Sequence, residues 1–165
     1  MTLARTPLKK RRQGPKRRTL SPRCSRQRCG AIARIGPLCV RHAEIEADTR
    51  FSVYVRKRDG RCTAVGTLDG LLCSGPLQAA HIVGRRNQTM RYNRLNVWAL
   101  CAAHHMHVDQ YGSEAAKYLW AMYVLGSPDE YDDHMLWANT THTDRTDAIE
   151  SALAWLAPSE GERDD

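Results

Sequence analysis

Apolar positions recur at helical spacing in several segments of the chain and gather at strand length in two places. In EIEADTRFSVYVRKR, residues 44–58, Ile45, Ala47, Phe51 and Val55 share one broad side and charges fill the rest, which predicts a helix. Arg-Asp-Gly then stops it, with Gly60 as its C-terminal residue. GTLDG, 66–70, is a turn signal. PLQAAHIV, 76–83, is short, apolar and ends in β-branched residues, so it predicts a strand. VWAL, 97–100, predicts a second strand, and the polar stretch 84–96 is expected to be a loop between them. A helix is expected to start near Ala102 and to carry His105 and Asp109.

The remainder reads as helical. SEAAKYLWAMYVLG opens on a Ser–Glu capping pattern at Ser113 and stops at Gly126. SPDEYDDHMLWAN has Ser127 as cap, Pro128 at the first helical position and acids in the first turn. DRTDAIESALAWLAP sets Ile149, Leu153 and Leu156 on one face and ends before Pro158. The aromatic residues here (Tyr118, Trp120, Tyr123, Trp137 and Trp155) are expected to pack rather than to stack on bases. Residues 1–22 lack periodicity and carry Pro, Gly and basic runs, which predicts a disordered arm. The expected organisation is that arm, a small Cys/His module at 23–43, a central domain at 44–112, a helical extension at 113–158 and an acidic tail at 159–165.

Charge sharpens this picture. The net charge of +7 is unevenly spread: residues 1–42 hold 13 Lys/Arg and no acid, whereas residues 112–165 hold 12 acids and 3 bases. A basic arm ahead of a near-neutral middle points to a polyanion, and DNA is the expected partner. Lys9, Lys10, Arg11, Arg12, Lys16, Arg17 and Arg18 are the candidate phosphate contacts in the arm. The plainer alternative is a solvated tail that binds nothing specific. No apolar run approaches the ~20 residues of a membrane span, and MTLARTPLKKRR lacks the apolar core of a secretory signal, so a soluble, cytoplasmic protein is expected.

Six cysteines in such a chain argue for metal rather than disulfides. Cys24, Cys29, Cys39 and His42 form two close pairs, enough for one tetrahedral zinc. Arginines flank Cys24 and Cys29, which speaks against an apolar core as their setting. Cys62, Cys73, Cys101 and His104 form a looser second set, closed by the same two-residue spacing at 101–104. Together they use every cysteine. With four protein ligands each, both zinc ions would be structural.

Three histidines remain nearby: His81, His105 and His107, with Asn96 between strand and helix. A strand His, a loop Asn and a helix His that converge can cut a phosphodiester. A neutral imidazole, with a pKa near ~6.5, accepts a proton from water. A hard divalent ion stabilises charge on the leaving oxygen. Arg85, Arg86 and Arg91 are placed to hold phosphates. Each residue alone has an ordinary reading: a half-buried strand His, a turn-forming Asn. His107 points about 200° around the helix from His105 and is the poorer candidate. His134 and His142 have no partner pattern and are expected at the surface.

The stretch from about Phe51 to Asp109 resembles the HNH endonucleases, the ββα-metal nucleases, through AAHIVGRR, NVWALC and CAAHH. In that family the last motif is usually Cys-x-x-Cys-His; here His104 takes the second Cys position. YVRKRDGRC, LQAAHIVGRR, MRYNRLN and the TPLKKRR start are similar to phage HNH proteins, including NinG-like recombination nucleases. The resemblance implies an α+β fold: a small ββα-metal core with zinc-stapled loops, an N-terminal zinc module and C-terminal helices. Residues 44–112 would be the HNH nuclease domain. His81 would be the general base, Asn96 would fix the loop and orient His81, and His105 would bind catalytic magnesium or manganese. DNA cleavage would leave a 5′-phosphate and a 3′-hydroxyl, in phage recombination, processing or packaging. Many relatives carry Asp or His immediately before the base; here that residue is Ala80. Asp109, one helical turn past His105, is the candidate second ligand, with an ordinary surface acid as the alternative. The rival function is a non-catalytic, zinc-stabilised DNA-binding protein.

Overall fold

Helix α1 runs from Val40 to Asp59, four residues earlier than the apolar pattern marks. It buries Ala43, Ala47, Phe51 and Val55, a four-residue repeat. Ile45, expected on that side, is half exposed. It lies two residues off the repeat, about 200° round the axis. Gly60 ends the helix in the left-handed conformation, φ 64°, and its N–H donates to Arg56 O at 3.1 Å. The expected boundary after residue 43 therefore falls inside a continuous helix that already carries His42.

In this computed structural model residues 21–68, 70–111 and 114–157 are described. The basic residues Lys9 to Arg18, the expected cap Ser113 and the acidic tail lie outside them. The described residues form a mixed α+β fold around a two-stranded antiparallel sheet. Strand β1 spans Leu77–His81 and β2 spans Val97–Cys101, with Gln78 opposite Leu100 and His81 opposite Val97. Between them a short helix, α2 (Gln88–Arg91), interrupts the expected loop, capped by Asn87, whose side chain accepts from Met90 N.

Helix α3 (Ala102–Met106) follows β2 directly and widens into a π-helical turn, His107–Tyr111. Helices α4 (Glu114–Leu125), α5 (Pro128–Thr140) and α6 (Arg145–Trp155) complete the described residues. Ser127 caps α5 as its sequence predicts, accepting from Glu130 N at 3.1 Å, and Asp144 caps α6. None of the described helices is long and apolar enough to cross a membrane.

Strand alternation divides the core between the two sheet faces. Ala79, Val97 and Ala99 pack against Phe51 and Val55 of α1. Ala80 and Leu100 pack with Ile82, Val108 and the fully buried Trp120 of α4. A third cluster joins Ala43 and Ala47 of α1 to Ile149 and Ala152 of α6, with Ile35 from the N-terminal module. The outer edge of β2 is also covered. Ala99 N donates to Asp59 Oδ2 at 2.7 Å, and Ala99 O accepts from Thr63 N at 2.9 Å.

Candidate functional site

Both Cys/His sets assemble. In each, one ligand atom from every member lies within 4.8 Å of the others. Zinc bonds of about 2.3 Å to sulfur and about 2.05 Å to nitrogen set tetrahedral ligand atoms roughly 3.5–3.8 Å apart. His42 Nδ1 lies 3.3 Å from Cys24 Sγ and 3.4 Å from Cys39 Sγ, and Cys29 Sγ is 3.9 Å from Cys39 Sγ. His104 Nδ1 lies 3.6 Å from Cys62, 3.5 Å from Cys73 and 3.0 Å from Cys101 sulfur. These spacings and this donor chemistry fit structural zinc in both sets.

The second set, the looser one in sequence, is drawn together by backbone bonds. Thr63 N pairs with Ala99 O beside Cys62, and Ala103 N donates to Ser74 O beside Cys73, at 3.1 Å. Burial opposes ionisation of Cys101, yet the His104 N–H and ring and the Ser74 N–H bring its thiol down to about 6. Cys73, the exposed member of the set, is pushed up to about 11 by desolvation of its sulfur and by Cys62 and Cys101 beside it. Gathered thiolates repel one another until a cation takes up their charge.

On the hairpin, Asn96 is fully buried and all its polar capacity is used. Its Oδ1 accepts from Val83 N at 2.7 Å, and its Nδ2 donates to Val83 O and Met90 O, each at 2.9 Å. The fourth bond comes from His134, whose ring Nε2 lies 3.0 Å from Asn96 Oδ1. His134 is buried within the α5 contact, not at the surface as its sequence context predicts.

His81 ends β1, half-buried on the α1 side of the sheet, with Nε2 3.1 Å from Arg91 O. A carbonyl only accepts, so Nε2 carries the proton and Nδ1 the lone pair. Burial, reinforced by the positive charge of Arg85, brings the His81 pKa down to about 4. The ring is therefore neutral at pH 7.

His105 meets different partners. Its Nδ1 is 2.7 Å from Gln78 Oε1 and its Nε2 is 3.0 Å from Asp109 Oδ2. The His105 contact, and then Lys117 at 3.5 Å, hold the Asp109 carboxyl below its usual range. Gln78 escapes sequence reasoning. Its signal is the two-residue strand period, which puts it on the same face as Ala80. His81 and Asn96 are thus brought together at the hairpin, and His105 and Asp109 at α3, but no hydrogen bond joins His81 to His105 among the described residues.

Arg85 and Arg86 are exposed. Arg91 is not available in the same way. It turns inward onto Asp48 and onto Glu44, 3.2 Å away, and its side chain is 13% exposed. Its expected role as a phosphate contact is replaced by one in an ion-pair network, which Arg145 extends by binding Glu44 at 2.6 Å.

No family model, curated protein or solved structure matches this chain.

Proposed function

We propose that this protein is a metal-dependent endonuclease of the HNH type that hydrolyses phosphodiester bonds in DNA. The observation that carries the reading is the clamp at the end of β1. Asn96 grips both backbone groups of Val83, two residues beyond His81, and thereby fixes the segment that bears the imidazole. His81 keeps its lone pair on Nδ1, the atom that would take the proton from the attacking water, although burial makes it a weaker base than a free imidazole.

His105, through Nε2, and Asp109 would hold a hard divalent ion, magnesium or manganese, while Gln78 Oε1 accepts from Nδ1–H and fixes the ring. The 3.0 Å between His105 Nε2 and Asp109 Oδ2 is about the edge of an octahedron with bonds of about 2.1 Å. Such an ion, when bound, supplies charge stabilisation for the leaving 3′ oxygen. Gln78 and His81 are roughly 10 Å apart along β1 at ~3.3 Å per residue, and on opposite faces. The scissile backbone would therefore cross the edge of β1 that does not face β2. Arg85 and Arg86 would hold its phosphates.

One observation favours the second reading, a non-catalytic zinc-stabilised DNA-binding protein. Ala80 is fully buried and offers no ligand at the position before His81. Supercoiled plasmid with magnesium or manganese separates the two. The nuclease reading expects nicking that disappears in His81→Ala and drops in His105→Ala and Asp109→Asn, with DNA binding and zinc content retained. Binding without cleavage under every divalent ion would leave the second reading standing.

A further inference from the structure

Residues 113–158 read in the sequence as a helical appendage, yet α5 and Thr141, which caps its end, reach into the hairpin at three points. Asn87 Nδ2 donates to Ala138 O at 2.7 Å, Thr89 Oγ1 donates to Thr141 O at 3.0 Å, and His134 meets Asn96 at 3.0 Å. The third differs in kind. The first two tie backbone to the α2 region, whereas His134 touches the side chain that holds the end of β1.

The Asn96 carboxamide has two donors and an oxygen with two lone pairs. Val83 O and Met90 O take the donors, and Val83 N takes one lone pair. His134 is the group that fills the other. Because Oδ1 only accepts, His134 is held as the Nε2–H tautomer, and its depth, 6% exposed, keeps water from replacing it. Burial also lowers its pKa, in keeping with a neutral ring.

We infer that His134 is a positioning residue of the candidate active site, acting through Asn96 on the β1 end that carries His81. The inference rests on the nuclease reading for its catalytic consequence and on geometry alone for its structural one. With His134 absent, the carboxamide oxygen loses one of two partners in a dry site. The Val83 clamp then loosens, and the His81 ring loses its fixed aim. DNA affinity, set by exposed cations elsewhere, stays unchanged.

The test compares full-length, zinc-loaded native chain with His134→Leu and His134→Gln; the glutamine amide can reproduce the lost donor. Three readouts are taken: amide exchange at Val83, DNA affinity and plasmid-nicking rate. Loss of one buried hydrogen bond predicts about tenfold faster Val83 exchange and about tenfold slower nicking in His134→Leu at unchanged affinity. His134→Gln is expected to recover most of both. Native exchange and nicking in His134→Leu would overturn the inference. So would equal impairment of both variants, which would reduce His134 to packing. If the native chain nicks nothing, the nuclease reading fails, and with it the catalytic consequence. Val83 exchange alone then decides whether His134 fixes Asn96.

Discussion

The guanidinium of Arg91 grips both carboxylate oxygens of Asp48, Nε on Oδ1 at 3.1 Å and a terminal nitrogen on Oδ2 at 2.7 Å. Tyr92 Oη donates to the same carboxylate at 3.0 Å, and Glu44 lies on the other side of Arg91. This pairing binds α2 to α1 immediately behind the carbonyl that holds His81.

Arg91 should therefore matter for stability and not for DNA. Truncating one partner of a mostly buried ion pair leaves the other charge uncompensated, which costs about 2–4 kcal/mol here. Arg91→Ala is expected to lower the urea midpoint accordingly, and Arg91→Lys to recover little, because it lacks the two-pronged fork. The slope of log affinity against log salt should not change. Arg85→Ala and Arg86→Ala should do the reverse: unaltered midpoints, and a slope shallower by about one each. A flattened slope in Arg91→Ala would return it to the phosphate contacts.

The burial of His81 sets a pH signature. Its folded pKa is about 4 against an ordinary 6.5. Between those values the unfolded chain binds a proton that the folded chain refuses, so stability falls as pH drops from about 6.5 towards 4. The contribution is fully present above that window and levels off below it. At ~1.4 kcal/mol per unit it amounts to about 3 kcal/mol at most. Proton NMR of the His81 ring should show no titration from pH 8 to pH 5. A midpoint near 6.5 would mean the ring is solvated and the Arg91 carbonyl contact is absent.

What could be read in the sequence is what lies within a few residues of its own signal. Ser127 caps Glu130 three positions on, Gly60 stops α1 at its end, and Cys101 and His104 share one turn. The two strands, expected at 76–83 and 97–100 and found at Leu77–His81 and Val97–Cys101, are legible for the same reason. Asn87 and the α2 it caps lie in a stretch too polar to show an apolar period, although Asn three residues before Met90 is itself a helix-start pattern. The other omissions are long-range. Arg91 meets Asp48 across 43 residues, and His134 meets Asn96 across 38. A charge or an imidazole in a sequence carries no mark of the partner that folding will bring to it. Ile45 is a different failure: alanines, not the larger side chain, make the close face of α1 against α6, because small residues let helices approach.

The two Cys/His sets make a stoichiometric prediction. The native chain should hold two zinc ions, and Cys24→Ser or Cys101→Ser should each hold one, by metal analysis after exhaustive dialysis. The losses should differ in consequence. The Cys24 set anchors only the start of α1 and the module before it. The Cys101 set sits at the junction of β2 and α3, so losing its ion should also abolish the His105–Gln78 contact. A single zinc in the native chain would contradict the pairing of Cys62 and Cys73 with Cys101 and His104.

Gly75 links that junction to the backbone. Its φ is +78°, and a Cβ there would sit 2.8 Å from the Ala102 Cβ, far inside contact distance. The glycine lies two residues past Cys73 and presses against the residue that follows Cys101. Gly75→Ala meets both the left-handed penalty, about 1 kcal/mol or more, and an overlap that only backbone movement relieves, costing about 1–3 kcal/mol further. That movement is expected to open the Cys73–Cys101 spacing, because Gly75 and Ala102 adjoin those ligands. The variant is therefore expected to unfold earlier and to release one zinc to a chelator at least tenfold faster than the native chain, while the Cys24 set releases its ion unchanged. Equal release from both sets would show that the close approach of Gly75 to Ala102 does not govern the second site.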